Sequence, residues 1–306
     1  MESAFKLKDD CSQDEYDQYM VDKFEPYLEN NQLCITYGGD NEEENEFLRL
    51  IVEGYFDTQE NDEIKSFAFI NTFNIPELQL NLTNCKQVSF DRVPKQLIHL
   101  TIQSSQLKNI DGIQKIFGLE HLYLHRNELS DLNCLSSLQT LTTLALGNNK
   151  ISDISFLESL TKLQSLFLSE NQISDISVLE KLRNLNQLEL NCNQISDISC
   201  FVKLTDHQFS TLNLSHNSII DISALSKIGS DVLSLANNQI IDIKPLKLHC
   251  TTQLSLENNK ISEIIHLQQF DNIQTLNLMG NCIKDFSPIQ KLSHFQDYLI
   301  DEQVEL

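Results

Sequence analysis

Leu119-Glu-His-Leu-Tyr-Leu-His-Arg-Asn-Glu-Leu129 decides the fold, because its pattern Leu119-x-x-Leu122-x-Leu124-x-x-Asn127-x-Leu129 recurs down the chain. The positions return as Leu141, Leu144, Leu146, Asn149 and Ile151, then as Leu163, Leu166, Leu168, Asn171 and Ile173. They return again as Leu185, Leu188, Leu190, Asn193 and Ile195, and these four copies begin 22 residues apart. Later copies centre on Asn217, Asn238, Asn259 and Asn281, at spacings of 24, 21, 21 and 22 residues. An earlier copy, Leu97-x-x-Leu100-x-Ile102, carries Ser105 where the Asn should stand. Nine repeats therefore cover residues 97–292, and a period of this size marks a stacked array.

Two shorter periods sit inside each repeat. Around Leu-x-Leu the apolar residues alternate, which predicts a half-buried strand. After the Asn they fall at every third position (Ile151, Ile154, Leu157, Leu160, Leu163), a spacing suited to 3-10 or short helical turns. One coil is thus a strand, a turn and a tight return segment. Burying about six aliphatic side chains stabilises a coil by roughly 9–18 kcal/mol. Ordering its backbone costs roughly 1–2 kcal/mol per residue, so a lone coil does not fold and stacking is obligatory. The Asn amide both donates and accepts, so it can satisfy backbone groups where the strand turns inward. Asp153, Asp175 and Asp197 recur at the start of the return segment, where a carboxylate caps free backbone N–H groups.

The resulting expectation is an α/β repeat solenoid whose stacked strands form a parallel sheet, joined by short 3-10 return segments. These repeats resemble the 22-residue class of leucine-rich repeat proteins, which includes internalins and a regulatory subunit of type-one protein phosphatase. The resemblance implies a curved solenoid with parallel strands on the concave face and short 3-10 segments on the convex one. The phrase Ile-Ser-Asp-Ile-Ser at 151–155, 173–177 and 195–199 carries that resemblance most closely. It implies a non-enzymatic scaffold that binds a protein partner on its concave face, such as a phosphatase or a cytoskeletal protein, as a regulatory subunit. The alternative it implies is a cell-surface or secreted internalin-like adhesin.

Outside the array the chain changes character. Residues 1–63 carry a net charge of −15 out of −22 for the whole chain. Residues 1–75 read as an acidic, partly helical cap, in which Tyr16, Met20, Phe24, Tyr27 and Leu28 fall at helical spacing. Residues 76–96, with Leu80-x-Leu82-x-x-Cys85, read as an irregular first coil, and Ile64-x-x-Phe67-x-Phe69 as a further strand. Residues 293–306 read as a tail covering the last coil.

Composition narrows the function. So acidic a chain repels phosphate backbones, and without a basic patch nucleic acid is not an expected partner. Eight cysteines (Cys11, Cys34, Cys85, Cys134, Cys192, Cys200, Cys250, Cys282) show no C-x-x-C pair and no fixed spacing, as free thiols in a reducing compartment would. The N-terminus has no apolar signal core, and no apolar run approaches about 20 residues. A cytoplasmic monomer that neither enters a membrane nor uses a cofactor is expected. No G-x-x-x-x-G-K-[ST] or G-x-S-x-G string occurs. His121 and His125 share a four-residue spacing but belong to a strand, about 13 Å apart, so one metal ion does not reach both.

A partner is expected where strand residues between the leucines face outward. One coil shows His121, Tyr123 and His125, with Arg126 beside them. The positions equivalent to Tyr123 are Ala145, Phe167, Glu189 and Asn213 in the following coils. Tyr123 and Phe167 should therefore flank a notch floored by Ala145 and Gly147, bordered by Glu170 and Glu189. Exposed aromatics of this kind are enriched at protein interfaces.

Overall fold

In a computed structural model the described residues are 28–29, 32–37, 63–64, 77–83, 87–88, 90, 97–270, 272–290 and 297–300. The strands are β1 (Leu28–Glu29), β2 (Gln32–Tyr37), β3 (Glu63–Ile64), β4 (Glu77–Thr83), β5 (Gln87–Val88) and β6 (Leu97–Gln103). Along the array follow β7 (His121–Tyr123), β8 (Thr143–Ala145), β9 (Ser165–Phe167), β10 (Gln187–Glu189) and β11 (Gln208–Asn213). The last are β12 (Gly229–Ser234), β13 (Gln253–Ser255), β14 (Thr275–Asn277) and β15 (Asp297–Leu299).

Thirteen strands form one sheet in the order β1-β2-β4-β6-β7-β8-β9-β10-β11-β12-β13-β14-β15, and β3 pairs with β5 apart from it. Every described pairing in the large sheet is parallel except β1 with β2. Most return segments are five-residue 3-10 turns, as at Asn133–Ser137, Ser155–Ser159, Ser177–Lys181 and Ser199–Lys203. Strands line one face and 3-10 turns the other, which is a leucine-rich repeat solenoid. Leu122, Leu144, Leu166 and Leu188 stand in register across the sheet, each fully buried.

The repeated Asn closes the seam between coils. Asn171 Nδ2 donates to Leu146 O of the preceding coil at 3.0 Å and to its own Leu168 O at 3.1 Å. Its Oδ1 accepts the Ile151 N–H at 3.0 Å. The pattern runs from Asn127, which reaches back to Ile102 O, to Asn281, which reaches Leu256 O. The residue before each of these Asn has positive φ whatever its type, including Arg126 at 58°, Glu170 at 56° and Cys192 at 58°. A left-handed residue turns the chain out of the strand so that the next side chain points inward.

The repeated Asp caps the return segment. Asp153, Asp175 and Asp197 accept the N–H of Ser155, Ser177 and Ser199, each at 2.8 Å. The backbone N–H of Ser177, and then its hydroxyl, hold the Asp175 carboxyl below its ordinary range. A depressed carboxylate contributes stability above its unfolded-state pKa and loses it as pH falls through the folded value. Asp175→Ala should therefore be less stable than wild type at neutral pH, with the gap closing on acidification. Urea midpoints measured against pH check this, and the gap should be small because the group is nearly fully exposed. A gap that stayed constant into acid would mean that the carboxylate is not the cap.

One expectation is corrected at the ends, and two gain detail. Leu28, read as the end of a capping helix, lies in β1 opposite Leu33, and the rest of that proposed helix falls outside the described residues. Through β1 and β2 the region 1–75 thus contributes strands to the main sheet, with β2 paired to β4. Ile64 is in a strand, but one paired with Val88 in the separate sheet; Phe67 and Phe69 lie outside the described residues. Beyond residue 292, β15 adds a strand beside β14 of the last coil, aligning Tyr298 with Leu276. Strand pairing is set by distant partners, which local spacing does not encode.

The longest coil is also explained. Where the spacing rises to 24 residues, β11 and β12 lengthen to six residues each. Phe209 enters the core, edge-on to Phe201 with ring centroids 6.3 Å apart, and His207 packs on its other side at 4.5 Å. Gly229 lies opposite Gln208, and a Cβ there would collide with the glutamine side chain.

Candidate protein-binding face

The register places the expected notch as read. Tyr123, Ala145, Phe167, Glu189 and Asn213 are direct neighbours across β7 to β11. Tyr123 and Phe167 are half-buried and Ala145 is buried between them, so two rings stand about 10 Å apart over a methyl floor. Gly147, half-buried, extends the floor past the strand end.

The other expected residues surround it. His121 is on β7, its ring stacked on His99 of β6 at 4.1 Å between centroids. His125 follows β7, and burial, then the Arg126 charge, lowers its pKa and favours the neutral ring. Arg126 is exposed. Glu170 accepts a hydrogen bond from Asn148 Nδ2 at 2.7 Å. Glu189 is half-buried, three strands from Tyr123. His99 was not singled out from the sequence. It occupies the position of His121 in the coil that lacks the Asn, and aligning that coil by its leucines would have found it.

A second hollow was not foreseen. Val232, Ser234, Gln253, Ser255, Thr275, Asn277 and Leu299 line a shallow groove of about 330 Å³ on the same face, over β12 to β15. Its side chains are uncharged.

Charge is distributed unevenly over the molecule. Four columns of outward positions run from β6 to β14, defined by His121, Tyr123, His125 and Arg126 and their equivalents. They contain no lysine and no aspartate. Arg126, Glu170, Glu189 and Glu257 are charged there, in a chain with 22 Lys/Arg and 44 Asp/Glu. The remaining positions are mostly Ser, Thr, Asn and Gln, with four histidines. Charge depletion with exposed aromatics is the composition of an interface core.

Among the described residues no group of three or more His, Cys, Asp or Glu is placed to hold a metal ion. No described helix is long and apolar enough to cross a membrane. Five described cysteines, Cys134, Cys192, Cys200, Cys250 and Cys282, are free. Burial, then nearby Asp197, pushes the Cys200 thiol up to about 12, and burial, then Asp111, pushes Cys134 up to about 11. Alkylation follows the thiolate and its access. Iodoacetamide at mildly alkaline pH should therefore modify exposed Cys282 well before Cys200, as read by peptide mass spectrometry. Equal rates would show that the coil around Cys200 opens readily.

Comparison with known proteins agrees with this geometry. A family description for leucine-rich repeats in two copies matches residues 117–159 and 161–203. The internalin InlF of Listeria monocytogenes is 28% identical, with 73% of each chain covered and a TM-score of 0.61. A leucine-rich repeat protein of Leptospira interrogans is 23% identical, with 76% of this chain and 68% of that one covered and a TM-score of 0.59. The plant peptide hormone receptor RGFR1, solved in complex with RGF2, is 21% identical over 77% of this chain and 41% of its own, with a TM-score of 0.62. No curated protein matches the chain in sequence. The chain is a leucine-rich repeat protein, and its repeats resemble those of the internalins.

Proposed function

We propose that the chain is a non-enzymatic scaffold that holds a protein partner on its strand-lined face, acting as a cytoplasmic, monomeric regulatory subunit. The observation that carries this reading is the scarcity of charge on that face, with four charged positions in its four columns in a chain of net charge −22, and Tyr123 and Phe167 standing on it. A protein partner desolvates such a surface at little cost, because few ions must be stripped of water. The free thiols fit a reducing compartment.

An affinity pull-down with mass spectrometry tests it, comparing wild type with a Tyr123→Ala/Phe167→Ala variant of verified fold. Aromatic anchors of this kind are worth about 2 kcal/mol or more each. A specific partner should be recovered by wild type and lost from the variant by roughly a hundredfold or more in affinity. Partners that persist unchanged would move binding off this face.

The sequence identity with an internalin favours a second reading, an exported adhesin. Surface labelling of intact cells distinguishes the two: a labelled native protein supports the adhesin and removes the cytoplasmic subunit.

A further inference from the structure

Two opposite charges on the strand-lined face have no charge partner among the described residues. Arg126 makes no ion pair with a described carboxylate, and the Glu189 carboxylate receives no hydrogen bond or cation from described residues. The other charges there differ. Glu170 is hydrogen-bonded to Asn148, and the Glu257 carboxylate to Asn277. Arg126 and Glu189 stand at opposite corners of the notch, three strands apart (about 14 Å) and offset by three residues along the strand direction (about 10 Å), roughly 17 Å in all. Between them lie Tyr123, Ala145 and Phe167. On the Arg126 side stand His125, His121 and His99, and the columns hold no carboxylate before Glu170.

We infer, resting on the binding face proposed above, that the notch takes an extended peptide segment of the partner that bears one acidic and one basic residue. The acidic residue meets Arg126 and the basic residue meets Glu189. An extended chain advances about 3.3–3.6 Å per residue, so the two are separated by about five residues along the segment. An apolar side chain between them lies on Ala145, sandwiched by the two rings. Neither charge is repelled on its own side, because the nearest like charges of the face are across the notch. A segment of one charge sign would match one end and oppose the other. This is charge complementarity of the kind that sets register and orientation.

The test is selection from a random-peptide phage library on the purified full chain, run in parallel on Arg126→Glu and Glu189→Arg. Wild type should enrich peptides with an acidic and a basic residue flanking an apolar one. Arg126→Glu should enrich peptides in which both flanking residues are basic, and Glu189→Arg peptides in which both are acidic. Wild-type peptides should lose roughly tenfold in affinity for either variant. Identical motifs on all three proteins, or no enriched motif, would overturn the inference. Arg126→Gln and Glu189→Gln, which remove charge with little change of shape, should weaken the wild-type peptides without reversing preference. Tyr123→Ala/Phe167→Ala separates this from the face itself. Peptides that need the rings but ignore the charges remove the charge pattern and leave the face, whereas peptides that ignore both remove the face.

Discussion

Asn171→Ala should lower the free energy of unfolding by about 3–5 kcal/mol, read from urea denaturation followed by circular dichroism. The substitution strips the Ile151 N–H of its acceptor and takes one of two amide donors from the Leu146 and Leu168 carbonyls, which keep Asn149 and Asn193. Each of those lost bonds is worth about 0.5–1.5 kcal/mol. Each buried polar group stripped of its partner costs about 1–3 kcal/mol, and Asn171 is itself buried. A domain is typically stable by about 5–15 kcal/mol in all, so one seam residue is a large fraction. Position along the array sets the size of the effect. Asn281 makes the equivalent bonds at the far end but is half-exposed, so water replaces the lost amide. Asn281→Ala should therefore cost about 1 kcal/mol. Equal, small losses at both positions would mean that water reaches the seam throughout, and that the Asn column does not hold the coils together.

Phe201→Ala should cost a similar amount, about 3–5 kcal/mol, by a different route. Its ring is fully buried and meets the edge of Phe209, so truncation leaves a void that the surrounding leucines fill only in part. The equivalent position is Leu157 or Leu179 in the preceding coils. Phe201→Leu should therefore cost less than about 1.5 kcal/mol, with the lost ring contact worth about 0.5–1.5 kcal/mol of that. Thermal or urea unfolding of the two variants separates these cases. A Phe201→Leu loss as large as that of the alanine variant would show that the site demands a ring.

The stacked coils were legible because each signal repeats: Leu122, Leu144, Leu166 and Leu188 mark the same depth in successive coils, and the register follows from the alignment. The notch was legible for the same reason, since its neighbours are one period apart. The left-handed column was not, because Arg126, Glu170 and Cys192 share a backbone conformation and no side-chain chemistry. Strands β1, β2 and β15 were missed because no period marks them and each is defined by its partner across the sheet. The segment ending at Leu28 has apolar residues at helical spacing, yet Leu28 itself pairs as a strand. Helical spacing and strand pairing disagreed at Leu28, and there the pairing with Leu33 prevailed.

The widened section at β11 and β12 bears on how so repetitive a chain finds one structure. Coils that are nearly copies of one another can stack in the wrong partnership, a coil skipping its neighbour to dock on the next, at little energetic penalty. The coil with two added residues has no such freedom. Its Phe209 packs against Phe201, and its six-residue strand runs beside the six-residue β12, with Gly229 opposite Gln208. It acts as a phase mark in a periodic lattice: once that pair is docked, the order of every coil before and after it follows by counting.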